Sequence, residues 1–226
     1  MLDERLEACA RFLRGRKLAD IGTDHAYLPA ALAKAGKIPG AIASDIAEGP
    51  LRAAEKTLRE YGVESIVELR RCDGLSGSRP DEAEDIVIAG MGGELIVKIL
   101  SGAPWLKAEG YRLVLQPMTQ EPVLRRWLSD NGFDVLFEEA VLSGGKVYTV
   151  LCAEWSRVPL PPKHPGYYYT GLVNPKTPAG AKYYEKVRRR LRKMLRGAEL
   201  RENEAKAGEL REILESMKET ETEAAP

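Results

Sequence analysis

The chain has 226 residues, with 34 basic and 34 acidic side chains and 44% hydrophobic residues, a composition typical of a globular protein with one substantial domain and an appendage. Its three widely spaced cysteines exclude a disulfide scaffold and a cysteine-rich zinc module. Because no apolar run approaches the roughly 20 residues of a membrane helix and the charged N-terminal segment lacks a signal-peptide core, we predict a cytoplasmic protein that does not contact a membrane.

Strands and helices are predicted to alternate along residues 16–155, after a first helix at about 3–14. Short apolar runs predict strands at 17–22, 41–46, 66–71, 85–89 and 112–116. Helical patterns lie between them at 27–35, 49–61, 93–101 and 121–131. This alternation predicts right-handed crossovers and a mostly parallel sheet with helices on both faces. Two further strands, 133–142 and 146–154, flank a Ser-Gly-Gly turn and predict a β-hairpin.

A parallel sheet followed by an antiparallel hairpin is typical of class I methyltransferases. We therefore predict an α/β, Rossmann-like class I methyltransferase fold for residues 1–155. A proline-rich linker then begins, and residues 156–226 are predicted to form this linker and an α-helical coiled-coil domain. Its two antiparallel helices, about 179–196 and 198–218, would be broken near Gly197. The seam would consist of Tyr184, Val187, Leu191 and Met194 from the first helix and Leu200, Asn203, Ala207, Leu210, Leu214 and Met217 from the second.

The segment LADIGTDHAYLP, residues 18–29, reads as a strand, a glycine turn and the start of a helix. A dinucleotide fold would have G-x-G-x-x-G here, because a pyrophosphate must approach bare backbone amides; its absence argues against a dehydrogenase. Instead Gly22 lies between Asp20 and Asp24. This pair would repel a polyphosphate and attract a cationic ligand such as S-adenosylmethionine. The alternative is that these aspartates only cap helices and turns.

The next three strands also end in residues suited to a nucleotide. Asp45 could accept both ribose hydroxyls, and Asp73 could accept the exocyclic amine of adenine. The turn Gly90-Met91-Gly92-Gly93 leaves bare backbone at the sheet edge, unless its glycines serve only a turn with positive φ. The predicted cofactor-binding residues are Asp20, Gly22, Asp24, Asp45, Ile46, Asp73, Gly74, Gly90 and Met91.

The fifth strand ends in Gln116-Pro117, and the Gln116 amide could read the edge of a base. We predict that Gly92, Gly93, Gln116 and Pro117 contact the substrate. A purely structural role for Gln116 is the alternative.

Together these motifs resemble the bacterial tRNA (adenine-N1)-methyltransferases that modify adenosine 22. The matching segments are ADIGTDHAYLP, ASDIAEGP, DGL, IAGMGGELI and LQP. The resemblance covers essentially the whole chain. It implies S-adenosylmethionine as the cofactor, tRNA as the partner, no metal, and methylation of N1 of adenosine 22. Met118 departs from the family, whose members often have Asn at this position.

The implied chemistry can be examined from the atoms involved. Adenine N1 has a free lone pair, so the reaction requires alignment and stabilisation of the positive charge that moves onto the ring. We predict Asp24 and His25 as catalytic residues, Asp24 as the stabilising carboxylate. His25 would contact the base or the cofactor, or alternatively cap the following helix.

Residues 182–196 contain eight basic side chains and one acid. Such a run suits phosphate contacts, which raise affinity without specifying sequence, while the target adenosine is turned out of its helix. We predict that tRNA is bound by Lys182, Arg188, Arg189 and Arg192. The alternatives are that these side chains form a solvated helix face, or that they pair with the glutamates of residues 198–223.

Two other functions are compatible with the sequence. One is a class I methyltransferase that acts on another RNA, a small molecule or a protein. The other is a non-catalytic RNA-binding protein with a vestigial nucleotide fold, against which the intact strand-end acids argue. We predict a monomer or a weak dimer.

Overall fold

Seven strands form one sheet in the computed structural model, which describes residues 2–223. The strand order is β3-β2-β1-β4-β5-β7-β6, with β1 to β5 parallel and β7 antiparallel to both β5 and β6. The strands are β1 (Leu18–Ile21), β2 (Ala41–Asp45), β3 (Val67–Arg71), β4 (Asp85–Gly92), β5 (Arg112–Thr119), β6 (Phe133–Ser143) and β7 (Lys146–Trp155). The predicted fold class, a parallel sheet with a C-terminal antiparallel hairpin, is confirmed.

Helices cover both faces of this sheet. In chain order the α-helices are α1 (Glu4–Phe12), α2 (Tyr27–Lys34), α3 (Glu48–Tyr61), α4 (Gly93–Ser101), α5 (Glu121–Asp130), α6 (Tyr167–Thr170), α7 (Pro178–Glu199) and α8 (Glu204–Glu223). Within β4, Val87 packs with α1, α2 and α3, whereas Ile86 and Ile88 pack with α4 and α5 on the opposite face. The central strands are therefore buried on both sides, as is usual for parallel sheets. Within residues 2–223, no helix is both long enough and apolar enough to cross a membrane.

Strands β4 and β5 each extend three residues beyond their predicted ends. After an irregularity in the ladder, Met91 still pairs with Pro117 and Gly92 with Thr119. The glycine-rich turn is thus partly strand, and it brings the ends of β4 and β5 together at the edge of the sheet.

The helical appendage is a pair of helices packed side by side, but its turn lies later than predicted. Helix α7 continues through Gly197 to Glu199. Asn203 Oδ1 accepts the Lys206 N–H at 3.0 Å and so caps α8, while Leu200 is 86% exposed. The predicted break at Gly197 and the predicted seam positions Leu200 and Asn203 are wrong, because a capping side chain and not the glycine sets the boundary.

The remaining predicted seam residues do lie between the two helices. Tyr184, Val187, Leu191, Ala207, Leu210 and Met217 are buried together, with Met194 and Leu214 partly buried against them. Coiled-coil packing in the strict sense stays a prediction.

A buried ion pair attaches this appendage to the sheet domain. Arg125 of α5 and Glu138 of β6 are fully buried, and their nearest atoms, Nη2 and Oε1, are 2.6 Å apart. Arg125 also donates hydrogen bonds to the carbonyl oxygens of Tyr168 and Tyr169 and to the Tyr183 hydroxyl of α7, each at 2.9 Å. This network fixes α7 against α5 and the hairpin.

Candidate active site

The turn after β1 has an unusual backbone. Gly22, Asp24 and Ala26 all have left-handed φ values, of 69°, 51° and 53°. Ala in this region is strained, and such strain is concentrated at functional sites. The turn is held in place because the N–H groups of Gly22 and Thr23 both donate to the Ser44 carbonyl of β2, at 2.8 and 2.9 Å.

Three carboxylates converge near this turn in different environments. Asp20 is buried and accepts the Thr23 hydroxyl at 2.6 Å. Burial, reinforced by the charge of Asp45, raises the pKa of Asp20 to about 6. Asp24 has a side chain that is 70% exposed. Asp45 is half-buried at the end of β2, where Oδ1 accepts the Ala47 N–H at 2.9 Å.

These carboxylates border a cavity of about 540 Å³ at the carboxyl edge of the parallel strands, a size typical of small-molecule sites. Its lining includes the predicted residues Asp20, Gly22, Asp24, His25, Asp45, Gly90 and Met91. A second cavity of about 360 Å³ is lined by Asp73 and Gly74 together with residues of α4. Ile46 is 62% exposed and borders neither cavity.

Gly22 is required by space as well as by backbone conformation. A Cβ atom at this position would lie 2.0 Å from Met91 Cε. Gly90 is different, because a Cβ there would meet no atom within 4 Å. The Gly90 backbone is therefore bare and exposed at the rim of the cavity.

The predicted base-reading role of Gln116 is corrected by its surroundings. Its side chain is fully buried. Oε1 accepts the Gly90 N–H at 3.1 Å and an Arg5 N–H at 3.3 Å, and Nε2 donates to the Pro117 carbonyl at 3.0 Å. With its amide engaged inside the protein, Gln116 holds the Gly90 turn and does not present an edge to a base.

Pro117, Gly92 and Gly93 likewise lie in packed backbone. Pro117 is buried beside Met91. A Cβ on Gly93 would be 2.4 Å from the Gln120 carbonyl oxygen, and one on Gly92 would be 3.2 Å from Thr119 Oγ1. These residues allow α4 to start close to the end of β5, and direct substrate contact by them stays a prediction.

Comparison with known proteins identifies the chain. Residues 2–151 match the family model described as "Methyltransferase domain". A tRNA (adenine(22)-N(1))-methyltransferase of Bacillus subtilis is 38% identical over 154 residues, 68% of this chain and 65% of that protein's length. The crystal structure of the B. subtilis M1A22 tRNA methyltransferase TrmK superimposes with a TM-score of 0.83 at 31% identity, over 97% of this chain and 98% of that one. The chain belongs to the bacterial tRNA (adenine(22)-N1)-methyltransferase family.

The chain is also similar to a ligand-bound relative. The structure of a putative tRNA (m1A22) methyltransferase from Streptococcus pneumoniae, in complex with S-adenosyl-L-methionine, has a TM-score of 0.80 and 33% identity. It covers 95% of this chain and 100% of that one. The family resemblance identified in the sequence is thus confirmed over the sheet domain and the helical appendage together.

Helix α1 adds residues to the methyltransferase site that the sequence does not predict. Asp3, Arg5 and Leu6 line the large cavity. Arg5 Nη2 lies 2.6 Å from Asp3, its Nη1 lies 3.4 Å from Met118 Sδ, and its guanidinium carbon lies 5.6 Å from the centroid of the Tyr148 ring. The pattern of α1 indicates a helix but carries no signal for the cavity that this helix covers.

Tyr27 also belongs to the site, although the pattern of the segment LADIGTDHAYLP does not single it out. Its exposed ring stacks on the His25 imidazole, with centroids 5.3 Å apart and an interplanar angle of 4°. His25 Nε2 is also 3.8 Å from Asp24 Oδ1. His25 is therefore oriented by both neighbours at the cavity rim.

The predicted RNA-binding residues lie on α7, outside this cavity. Lys182, Arg189 and Arg192 are exposed, and Arg188 is half-buried. Within the part of the chain described, no group of three or more His, Cys, Asp or Glu side chains is arranged to hold a metal ion.

Proposed function

We propose that this protein methylates N1 of adenosine 22 in tRNA, with S-adenosylmethionine as the methyl donor. The observation that carries the proposal is the convergence of Asp20, Asp24 and Asp45 on one cavity at the carboxyl edge of the sheet. The family's curated member from B. subtilis carries the corresponding activity in its name, and the S. pneumoniae relative holds the corresponding cofactor.

The residues around the cavity fit this cofactor. When bound, S-adenosylmethionine would supply an electrophilic methyl group on a sulfonium sulfur. Buried Asp20 offers a carboxylate to a cationic group, and Asp45 offers carboxylate oxygens to ribose hydroxyls. The bare Gly90 backbone permits close approach of a ligand. Asp73 and Gly74, which line the second cavity, are proposed to hold the adenine end.

Methylation of adenine N1 requires no general base. Because adenine N1 has a free lone pair at neutral pH, no side chain has to remove a proton before attack. Asp24 would stabilise the positive charge that develops on the ring, since its exposed carboxylate borders the cavity. We propose that His25, held against Tyr27, positions the base.

The rest of the molecule would bind the tRNA body. We propose that Lys182, Arg189 and Arg192 contact phosphates and that residues 156–226 act as an RNA-binding appendage to a catalytic domain of residues 1–155. A monomer or weak dimer in the cytoplasm is the proposed working form.

The test is methyl transfer from labelled S-adenosylmethionine to unmodified tRNA transcripts, followed by nucleoside analysis. We expect 1-methyladenosine in a transcript with adenosine 22 and no label in a matched transcript with guanosine 22. Label in both transcripts, or in neither, contradicts the proposal. Transfer to another RNA, a small molecule or a protein in place of tRNA would instead support the broader methyltransferase alternative.

A further inference from the structure

We propose that a basic groove beside the active-site cavity binds the RNA strand that flanks the target adenosine; this inference rests on the proposed function. The groove has a volume of about 560 Å³ and lies between the tip of the β6–β7 hairpin and α7. We call it the hairpin groove, and it is lined by Met118, Lys146, Tyr148, Lys182, Lys186 and Arg189, among others.

The β6–β7 hairpin forms one wall of the groove because its strands extend beyond the region that pairs with β5. The pairing of β7 with β5 covers residues 151–154, so residues 146–150 project past it at the edge where the parallel strands end. Helix α7 forms the other wall and is fixed there by two contacts of Lys186. Its Nζ lies 2.9 Å from Glu121 Oε1 and 3.5 Å from the Val147 carbonyl oxygen.

The hairpin groove is positively charged, and basic side chains lie in a row along α7. Lys182, Lys186, Arg189, Lys193 and Arg196 are spaced by four, three, four and three residues, which places them on one face of α7. Among the acids at this wall, Glu185 is already paired with Arg189 and Glu121 with Lys186.

Two cations of the groove lack such a pairing. Within the described part of the chain, neither Lys146 nor Lys182 has an acidic side chain within ion-pair distance. They stand on opposite walls, Lys146 on the hairpin and Lys182 on α7, so a chain of phosphates running between the walls would meet both.

Arg5 connects the hairpin groove to the catalytic cavity. It lines the cavity, and it contacts two residues that line the groove: Met118, through its sulfur at 3.4 Å, and Tyr148, through its ring at 5.6 Å. The two spaces therefore share a wall made of these three side chains. Tyr148 is half-buried, and an aromatic ring at such a junction suits stacking by an unpaired base.

An RNA strand explains all of these features together. An adenosine turned into the cavity keeps its two phosphodiester links, so its strand must leave past the cavity rim. A linear array of cations with one aromatic ring at its entrance matches that path. A small-molecule substrate would need neither the length of the array nor the junction.

The first test reverses the two unpaired charges. Lys146→Glu combined with Lys182→Glu should weaken tRNA binding at least about tenfold and lower the slope of log K against log salt by about 2, one for each lost phosphate contact. The affinity for S-adenosylmethionine, measured by calorimetry, should be unchanged. The matched control is Lys56→Glu on α3, an exposed lysine at the opposite edge of the sheet, which should leave both affinities unchanged.

The second test concerns Tyr148. Tyr148→Leu removes the aromatic face and keeps apolar volume, and we expect the KM for tRNA to rise about fivefold or more while Tyr148→Phe stays near wild type. If the charge-reversed variant binds tRNA with wild-type affinity and salt slope, or Tyr148→Leu leaves the KM unchanged, the hairpin groove is not the strand path. Failure of the proposed function is a different result: wild-type protein that binds tRNA through the groove but transfers no methyl group to it. Wild-type protein that does not bind tRNA overturns both.

Discussion

At the scale of single residues, the protonation of Asp20 makes the charge of the cavity depend on pH. Burial raises its pKa to about 6 from an ordinary value of 3.8, so the folded protein binds this proton more tightly than the unfolded chain does. The protonated carboxyl therefore favours the fold fully below pH 3.8, and this contribution is lost as the pH rises through about 6. A bound cation would offset the loss, because it favours the ionised form.

The first prediction follows from this linkage. The affinity for S-adenosylmethionine should fall about tenfold between pH 7 and pH 5, since the Asp20 proton must leave before the cationic ligand can bind. Calorimetry across this range measures the effect. Asp20→Asn should bind more weakly at neutral pH and lose most of the pH dependence. A wild-type affinity that is flat from pH 7 to pH 5 would argue against Asp20 as the ligand's carboxylate.

A second prediction concerns Asp24. Asp24→Asn should lower kcat about a hundredfold, as removal of one transition-state partner does elsewhere. Because the side chain is 70% exposed, the midpoint of thermal unfolding should move little. Single-turnover methylation of tRNA provides the measurement, and a rate within threefold of wild type would remove Asp24 from the chemistry.

Gly22 gives a third prediction, with a matched control in the same chain. Gly22→Ala must adopt a left-handed φ and displace Met91, whose Cε would lie 2.0 Å from the new Cβ, whereas Gly36→Ala has a similar φ of 64° and meets no atom within 4 Å. Both variants should lose about 1 kcal/mol of stability to backbone strain. Only Gly22→Ala should lose cofactor affinity. Equal affinities for the two variants would contradict the role given to the Gly22 turn.

At the scale of elements, the contact between α5, β6 and α7 depends on the Arg125–Glu138 pair. Arg125→Met leaves the Glu138 carboxylate buried without its cationic partner, and we expect the free energy of unfolding to fall by about 3–5 kcal/mol. Urea denaturation measures this loss. Adding Glu138→Leu should recover a large part of it, because no buried charge then remains unpaired, whereas Tyr183→Phe alone should lose only about 1 kcal/mol. A double variant as unstable as Arg125→Met would indicate that packing, and not charge, dominates the contact.

The sequence predicts elements best where burial is uniform. The strands β1, β2, β4 and β5 contain short, buried apolar runs, so their positions follow from composition. The parallel order follows from the helices between the strands. The turn between α7 and α8 is different. Gly197 lies inside a helix whose packing outweighs the weak helix propensity of glycine, and the cap at Asn203 decides the boundary.

At the scale of the whole molecule, the site could be predicted only in part. The carboxyl ends of parallel strands meet at one edge, and that rule alone brings Asp20 and Asp45 together. Arg5 reaches the same cavity through contacts with residues more than a hundred positions away in the chain. No local pattern encodes such a contact. Gln116 shows a further limit, because a strand-end amide can face a cavity or a backbone turn, and the sequence does not distinguish the two.

Domain organisation affects how RNA binding should be tested. Tyr183 and Val187 of α7 are buried in a cluster against which Ala140 and Val147 of the hairpin pack. Deletion of residues 179–226 would expose this apolar surface and remove a partner of Arg125. Charge reversal in the hairpin groove therefore separates RNA binding from stability better than truncation does.

The shared acceptor on Gln116 has a consequence for how the cavity wall moves. Oε1 takes one hydrogen bond from the Gly90 amide and another from the Arg5 guanidinium. If the Arg5 side chain turns toward a phosphate of the bound RNA, Gln116 Oε1 still accepts the Gly90 N–H. No buried acceptor is then left without a hydrogen bond. The guanidinium exchanges a neutral partner for an anionic one, which is the stronger kind of bond. Helix α1 can thus give up the contact between Arg5 and Gln116 while Gln116 continues to hold the turn at Gly90.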